Sequence, residues 1–251
     1  MSRVYLVGAG PGAADLLTVR AARLLAEADV VLHDALVSDD ILALAPQAAK
    51  IAVGKRACRP STAQRFINKQ IVDAARKYET VVRLKGGDPM LFGRAEEEIV
   101  ALEEAGIEFE VVPGITAAFA AASQLQTSLT RRGLSRSVAF VTPRVGLDET
   151  ESQWSRVAAA ADTTVLYMAG REIVAIAAEL IAKGRDASTP LAAVESASLP
   201  EQRSWLGTLG TAEAVGAAIG DGPVLLIVGE VLRDCAVAEV VPELIAAARA
   251  A

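Results

Sequence analysis

The fold is decided by the stretch RVYLVGAGPGA at residues 3–13. An apolar, β-branched run that ends on closely spaced glycines predicts a strand followed by a tight turn. A helical pattern continues through Ala28, and the apolar run DVVLHD at 29–34 predicts a second strand. Strand, helix and strand in this order predict a βαβ unit, and therefore a parallel sheet.

The same alternation continues along the first half of the chain. Further strands are predicted at KIAVGK (50–55), TVVRLKGGDP (80–89, with its turn) and FEVVPG (109–114). Helices are predicted at 38–45, at 61–78 with Ser61 as the N-cap, and at 95–106. We therefore expect a first α/β domain, residues 1–114, with a mainly parallel sheet covered on both faces.

The second half predicts another α/β domain, residues 115–251. A helix at ITAAFAAASQL precedes strands at SVAFVTPR (137–144), TTVLYMAG (163–170), PLAAVES (190–196), RSWLGTL (203–209) and GPVLLIVGEV (222–231). Because only a short turn, LPEQ, separates the third strand from the fourth, we expect a hairpin and a mixed sheet. The tail from Pro242 to Ala251 is predicted as a short helix.

Composition excludes several classes of function. The 251 residues carry a net charge of -6, which argues against a nucleic-acid-binding protein. No apolar run reaches about 18 residues, so we expect no membrane span and a cytoplasmic protein. The two cysteines, Cys58 and Cys235, and the single histidine, His33, exclude a disulfide scaffold and a metal site built on cysteine or histidine.

Three glycine turns, GAGPGA (8–13), KGGDP (85–89) and PGITAA (113–118), follow predicted strands. Strand-end turns without side chains let a ligand approach the backbone, so we expect a cleft suited to a nucleoside-like molecule. GAGPGA also fits the dinucleotide pattern GxGxxA, although Pro11 lacks an N–H and Asp34 is a poor match for the ribose-binding acid. A nicotinamide-dependent oxidoreductase and a non-catalytic binding protein stay open on these residues alone.

Six motifs occur in order over the first two-thirds of the chain. They are VYLVGAGPGAADLLTVRA (4–21), ADVVLHDALVSDDIL (28–42), VGKR (53–56), VVRLKGGDPMLFGR (81–94), VVPGITAA (111–118) and VLYMAG (165–170). On these motifs the chain resembles the class III S-adenosylmethionine-dependent tetrapyrrole methyltransferases. LVSDD, VGKR and LKGGDP together are typical of the branch that acts on uroporphyrinogen III.

The resemblance implies a homodimer of two-domain chains that hold S-adenosylmethionine in the cleft between the domains, without a metal. It implies methylation of the tetrapyrrole uroporphyrinogen III at C2 and C7 to precorrin-2, a precursor of sirohaem and cobalamin, with S-adenosylhomocysteine as the second product. A different precorrin is an alternative substrate, because the chain departs from the family pattern at Ala95-Glu96, Thr127-Ser128, Arg131 and Pro143-Arg144.

The resemblance also assigns roles to single residues. Asp34 is implied as the proton acceptor and Lys55 as the proton donor, although Lys55 also suits a substrate carboxylate. Arginines bind carboxylates well, and we expect Arg56 and Arg132 to bind this carboxylate-rich substrate. Cofactor contacts are implied for Pro11, Gly86, Gly87, Asp88, Leu91, Thr116, Ala117, Met168, Ala197, Pro223 and Val224.

Overall fold

The structure is a computed structural model that describes residues 2–53, 60–144, 152–236 and 239–240. It divides into two compact units, Met1–Ala117 and Ala118–Ala251. The predicted domains, 1–114 and 115–251, divide the chain three residues earlier and stay predictions. The predicted helix at 242–251 lies outside the described residues.

The first unit is a five-stranded sheet in which every pair of neighbours is parallel. Its strand order is β3-β2-β4-β1-β5. The strands are β1 (Arg3–Gly8), β2 (Val30–His33), β3 (Ala49–Ala52), β4 (Thr80–Lys85) and β5 (Glu108–Val112). The helices are α1 (Val19–Glu27), α2 (Asp39–Ala43), α3 (Pro60–Ala75) and α4 (Ala95–Glu104). The predicted parallel sheet is confirmed.

Alternation along the strands sends apolar side chains to both faces of this sheet. On β1, Val4 and Leu6 join a core that includes Ile71 of α3 and Leu102 of α4. Val7 joins the core of the opposite face, which contains apolar residues of α1 and α2. The central strands are therefore covered on both sides, as expected for a parallel sheet.

Two helix starts differ from the prediction. Residues Ala14–Leu16 form only a short 3-10 turn, and α1 starts at Val19, because Thr18 caps it by accepting the Ala21 N–H at 3.1 Å. Helix α3 starts at Pro60, so Ser61 lies inside the helix and not at its N-cap. Proline suits a first helical position because its missing N–H would have no helical partner there.

The second unit is a six-stranded mixed sheet with the order β11-β9-β8-β10-β7-β6. Its strands are β6 (Val138–Val141), β7 (Thr163–Leu166), β8 (Pro190–Glu195), β9 (Arg203–Thr208), β10 (Val224–Gly229) and β11 (Glu239–Val240). The helices are α5 (Ala117–Gln124, which starts in the first unit), α6 (Trp154–Ala160), α7 (Ile173–Ala182) and α8 (Ala212–Ala218). The predicted hairpin of β8 and β9 is confirmed, since they pair antiparallel from Pro190↔Thr208 to Glu195↔Arg203.

Apolar helices cover this second sheet as well. Ala158, Ile176 and Val215, one each from α6, α7 and α8, share a core with Leu226 of β10. Residues of α5 pack with Val165, Ala192 and Ile227 on the other face. Within the described residues, no helix is long and apolar enough to cross a membrane.

Candidate active site

Three glycine turns meet at the end of the first sheet where its strands have their carboxyl ends. Strands β4, β1 and β5 are neighbours and run parallel, so the turns that follow them lie side by side. The Gly10 N–H donates to the Gly87 carbonyl at 3.2 Å, and the Gly87 N–H donates to the Gly10 carbonyl at 2.7 Å. A Cβ on Gly8 would lie 2.6 Å from the Gly114 Cα, so no side chain fits there. We call Gly8, Gly10, Gly87 and Gly114 the glycine junction.

Asp88 fastens two of these turns to each other. Its Oδ1 accepts the Met90 N–H at 2.8 Å, and its Oδ2 accepts the Gly114 N–H at 2.9 Å. The carboxylate thus ties the turn after β4 to the turn after β5. This gives Asp88 a structural role at the junction, and its contact with a cofactor stays a prediction.

The backbone beside the junction is open to a ligand. Gly86 is exposed, and a Cβ placed on it would meet only the Leu36 Cβ, at 3.9 Å. Pro11 and Leu91 are partly exposed on the turns that follow β1 and β4, whereas Thr116 is buried at 7 % exposure. Ala117 follows Thr116 as the first residue of α5. A surface formed by main chain fits the nucleoside-like ligand that the sequence predicts.

Two features of the turn after β1 argue against a dinucleotide site. In such a site, free N–H groups at a helix N-terminus bind the pyrophosphate. Here Gly10 uses its N–H on Gly87, and Pro11 has none. The predicted helix directly after GAGPGA is also wrong, because only the 3-10 turn Ala14–Leu16 follows. The oxidoreductase interpretation therefore has no support from this turn.

A buried charge network lies between the carboxyl end of β4 and helix α4. Arg83 and Lys85 of β4 are each 2 % exposed, and both contact Glu98 of α4, which is 0 % exposed. Glu98 accepts from the Arg83 Nε at 3.0 Å through Oε1 and from the Lys85 Nζ at 2.9 Å through Oε2. The Arg83 Nη2 then donates to the Asp34 Oδ1 at 2.6 Å. Asp34, Arg83, Glu98 and Lys85 form what we call the charge network.

The charge network is not among the features predicted from the sequence, although β4 contains a signal for it. Val81, Arg83 and Lys85 alternate on a strand, so they share a face, and Val81 belongs to the apolar core of that face. Burial, and then the neighbouring Arg83, hold the pKa of Lys85 below its usual value. Buried charges persist only when they are paired, and Glu98 supplies the acid for both cations.

Asp34 is the partly exposed member of the charge network. It directly follows β2, its side chain is 32 % exposed, and its N–H donates to the Leu84 carbonyl at 3.2 Å. The carboxylate is thus anchored on one side by Arg83 and accessible on the other. This geometry suits a group that exchanges a proton with a bound substrate.

Four residues predicted to contact the cofactor lie at one end of the second sheet, where β7 and β8 end and β10 begins. Strand β10 runs antiparallel to β7 and β8, so its first residue lies beside their carboxyl ends. The Ser196 N–H donates to the Pro223 carbonyl at 2.9 Å, and Val224 pairs with Glu195. Met168, Ala197, Pro223 and Val224 all lie at this end.

The backbone at this end of the second sheet is strained. Met168, Ser196 and Ser198 have φ values of 58°, 51° and 72°, in the left-handed region that non-glycine residues rarely adopt. Such residues cluster at ligand-binding positions, where the surrounding structure holds them in place. Met168 is 45 % exposed and open to a ligand, whereas Ala197 is 8 % exposed and packs in the core.

The predicted substrate-binding residues are placed only in part. Arg132 is exposed in the second unit beside a cavity of about 380 Å³, where Arg131 pairs with Asp234 at 2.8 Å. Lys55 and Arg56 lie outside the described residues. No group of three or more potential metal ligands occurs in the part of the chain that the structure describes.

The family model of the tetrapyrrole (corrin/porphyrin) methylases matches residues 3–213. The chain belongs to this family. The match extends from β1 into α8, so it contains the glycine junction, the charge network, Met168 and Ala197, and it ends before Pro223 and Val224. The resemblance found in the sequence motifs is confirmed.

Individual tetrapyrrole methylases are similar along nearly the whole chain. Uroporphyrinogen-III C-methyltransferase of Cyanidium caldarium is 42% identical over 238 residues, 93% of this chain and 94% of that protein. Uroporphyrin-III C-methyltransferase of Thermus thermophilus, solved in complex with S-adenosylhomocysteine, is 42% identical with a TM-score of 0.80, covering 92% of this chain and 99% of that one.

A third relative is longer than this chain. Siroheme synthase 1 of Cronobacter sakazakii is 44% identical over 231 residues, which are 92% of this chain but 49% of that protein. The chain therefore spans about half the length of the curated siroheme synthases that it matches.

Proposed function

We propose that this chain transfers methyl groups from S-adenosylmethionine to C2 and C7 of uroporphyrinogen III and so produces precorrin-2. One observation carries the proposal: the 42% identity, along nearly all of both chains, to a uroporphyrin-III C-methyltransferase that was solved with S-adenosylhomocysteine. Sirohaem and cobalamin syntheses both consume precorrin-2. We also propose a homodimer that acts in the cytoplasm and requires no metal.

The residues of the chain have a limited chemical task in this reaction. The bound donor supplies a methyl group on a sulfonium, which is already electrophilic, so the protein needs no nucleophile of its own. A pyrrole carbon forms the new C–C bond while the S–CH₃ bond breaks, and the macrocycle then loses a proton. The protein must align the substrate, exclude water and accept that proton.

Two groups of residues at strand ends, one in each unit, are proposed to bind the cofactor. In the first unit, the contacts are assigned to the turns of the glycine junction, at Pro11, Gly86, Gly87, Asp88, Leu91, Thr116 and Ala117. In the second unit, they are assigned to Met168, Ala197, Pro223 and Val224. Open backbone at Gly86 and the exposed, strained Met168 support these assignments.

Asp34 is proposed as the proton acceptor. Arg83 holds one of its carboxylate oxygens at 2.6 Å, and a third of the side chain stays accessible. Lys55, Arg56 and Arg132 are proposed to meet the substrate, Lys55 as a proton donor or a carboxylate ligand and the two arginines as carboxylate ligands. The exposure of Arg132 is consistent with this role.

Calorimetry tests the cofactor class. We expect S-adenosylhomocysteine to bind the purified chain at one site per chain and NADH to give no heat of binding. Binding of NADH without binding of S-adenosylhomocysteine would overturn the proposal, and so would binding of neither compound.

Replacing Asp34 tests the proton role. Asp34→Asn keeps an oxygen for Arg83 but cannot accept a proton, so kcat should fall by about 10²-fold or more. The affinity for S-adenosylhomocysteine should stay within about twofold, because Asp34 is not among the proposed cofactor contacts. An unchanged kcat would remove Asp34 from the mechanism.

A further inference from the structure

We propose that Glu98 is a positioning residue for methyl transfer: it holds Arg83, and Arg83 holds the carboxylate of Asp34. The inference rests on the proposed function, because it takes Asp34 to be the proton acceptor. Glu98 lies on α4, and its carboxylate bonds to Arg83, Lys85 and Gln64, none of which is a proposed cofactor or substrate contact.

Arg83 connects the two carboxylates by separate nitrogen atoms. Its Nη2 donates to the Asp34 Oδ1 at 2.6 Å, and its Nε donates to the Glu98 Oε1 at 3.0 Å. Its Nη1 donates to the Leu84 carbonyl at 3.2 Å. Because the guanidinium is planar and rigid, fixing Nε and Nη1 also fixes the direction in which Nη2 points toward Asp34.

Glu98 is itself fixed by three side chains. Besides Arg83, its Oε2 accepts from the Lys85 Nζ at 2.9 Å, and its Oε1 accepts from the Gln64 Nε2 at 3.4 Å. Gln64 is buried on α3, so two helices and one strand converge on this carboxylate. Glu98 lies in the first turn of α4, where the helix dipole also favours a negative charge.

Loss of the Glu98 charge should displace Arg83. Arg83 and Lys85 extend from the same face of β4, and the charge of Arg83 disfavours the charged form of Lys85. Glu98 lies between the two cations and compensates both. Without the charge of Glu98 the two buried cations repel each other. The Arg83 head group then shifts and holds the Asp34 carboxylate less firmly.

A double-mutant cycle with Asp34 separates positioning from a general structural role. In the otherwise wild-type chain, Glu98→Gln should lower kcat by about tenfold and leave KM for S-adenosylmethionine within about twofold. In an Asp34→Asn background the same substitution should change kcat by less than about twofold, because no proton acceptor is left to position. The Asp34→Asn rates are measured in single turnovers with enzyme in excess.

Two readouts that do not depend on turnover accompany the cycle. S-adenosylhomocysteine affinity should be the same in all four chains, and urea unfolding should show that all four are folded under the assay conditions. Glu103→Gln is the matched control, since Glu103 is exposed on the same helix, and its kcat should equal that of the wild type.

The outcomes are distinct. A loss of kcat that is equally large in the Asp34→Asn background, or no loss in the wild-type background, overturns the inference while the proposed function stands. No methyl transfer by the wild type overturns the proposed function. If Glu98→Gln does not fold, Arg83→Lys replaces it in the cycle, because one ammonium cannot hold both carboxylates, and the same pattern is expected and the same results refute it.

Discussion

Substituting Gly8 by alanine tests the glycine junction directly. Gly8 is the last residue of β1, and the new Cβ would lie 2.6 Å from both the Cα and the N of Gly114 and 2.7 Å from the Gly87 carbonyl oxygen. All three atoms are backbone, so none can rotate away. The turn after β5 must then move by roughly 1 Å to restore an ordinary contact, and this movement breaks the hydrogen bond from Gly114 to Asp88.

The expected cost follows from these contacts. Overpacking contributes about 1–3 kcal/mol and the lost hydrogen bond to a carboxylate about 1.5–3 kcal/mol, so we expect a loss of about 4 kcal/mol of unfolding free energy. For a chain of this size that corresponds to a Tm lower by about 10 °C. Urea unfolding followed by circular dichroism, together with a thermal scan, measures both quantities.

The control for Gly8→Ala is Gly86→Ala in the neighbouring turn. Its Cβ would meet only the Leu36 Cβ, at an ordinary contact distance of 3.9 Å, so its stability should match the wild type. If Gly8→Ala also unfolds within about 1 kcal/mol of the wild type, the close approach of the three turns is not a feature of the folded protein in solution.

Two further substitutions test the ligand surface and the second unit. Gly86→Ala should weaken S-adenosylhomocysteine binding by about tenfold without changing stability, because the methyl group occupies space beside the backbone that the ligand approaches; equal affinities in calorimetry would remove Gly86 from the site. Asp162 should stabilise the second unit only while it is ionised. The Arg136 N–H, and then the Ser137 hydroxyl and N–H, hold its pKa below the usual 3.8, so its contribution is complete above that value and is lost as the pH falls through the lowered pKa. The stability gap between wild type and Asp162→Asn in urea should therefore narrow from about pH 6 to about pH 3; a constant gap would contradict it.

Local patterns correctly predicted that the three turns of the glycine junction follow strands. Apolar runs that end in glycine identify β1, β4 and β5, and parallel pairing then brings their turns to one end of the sheet. The sequence could not show that Gly10 and Gly87 bond to each other and not to a ligand, because this depends on which strands are neighbours. The predicted helix after GAGPGA starts too early for a local reason: Thr18 caps α1, and only the 3-10 turn Ala14–Leu16 precedes it.

The charge network could not be predicted from local sequence patterns alone. Arginine and lysine near the end of a strand are usually expected to be exposed to solvent. However, β4 lies between β1 and β2 and is covered by α3 and α4. Once β4 is recognised as a central strand, the alternation of Val81, Arg83 and Lys85 requires a buried acid. The EEE run at the start of α4 supplies it, although only the structure identifies Glu98 among the three.

The mass of the turnover product shows whether the chain methylates uroporphyrinogen III twice. The chain is incubated without oxygen with uroporphyrinogen III and S-adenosylmethionine that bears a deuterated methyl group, and the macrocycle is analysed by mass spectrometry. We expect a product heavier by two labelled methyl groups, with a singly methylated species that rises and then disappears. An unlabelled macrocycle, from a chain that binds S-adenosylhomocysteine and labels a later precorrin, would contradict it.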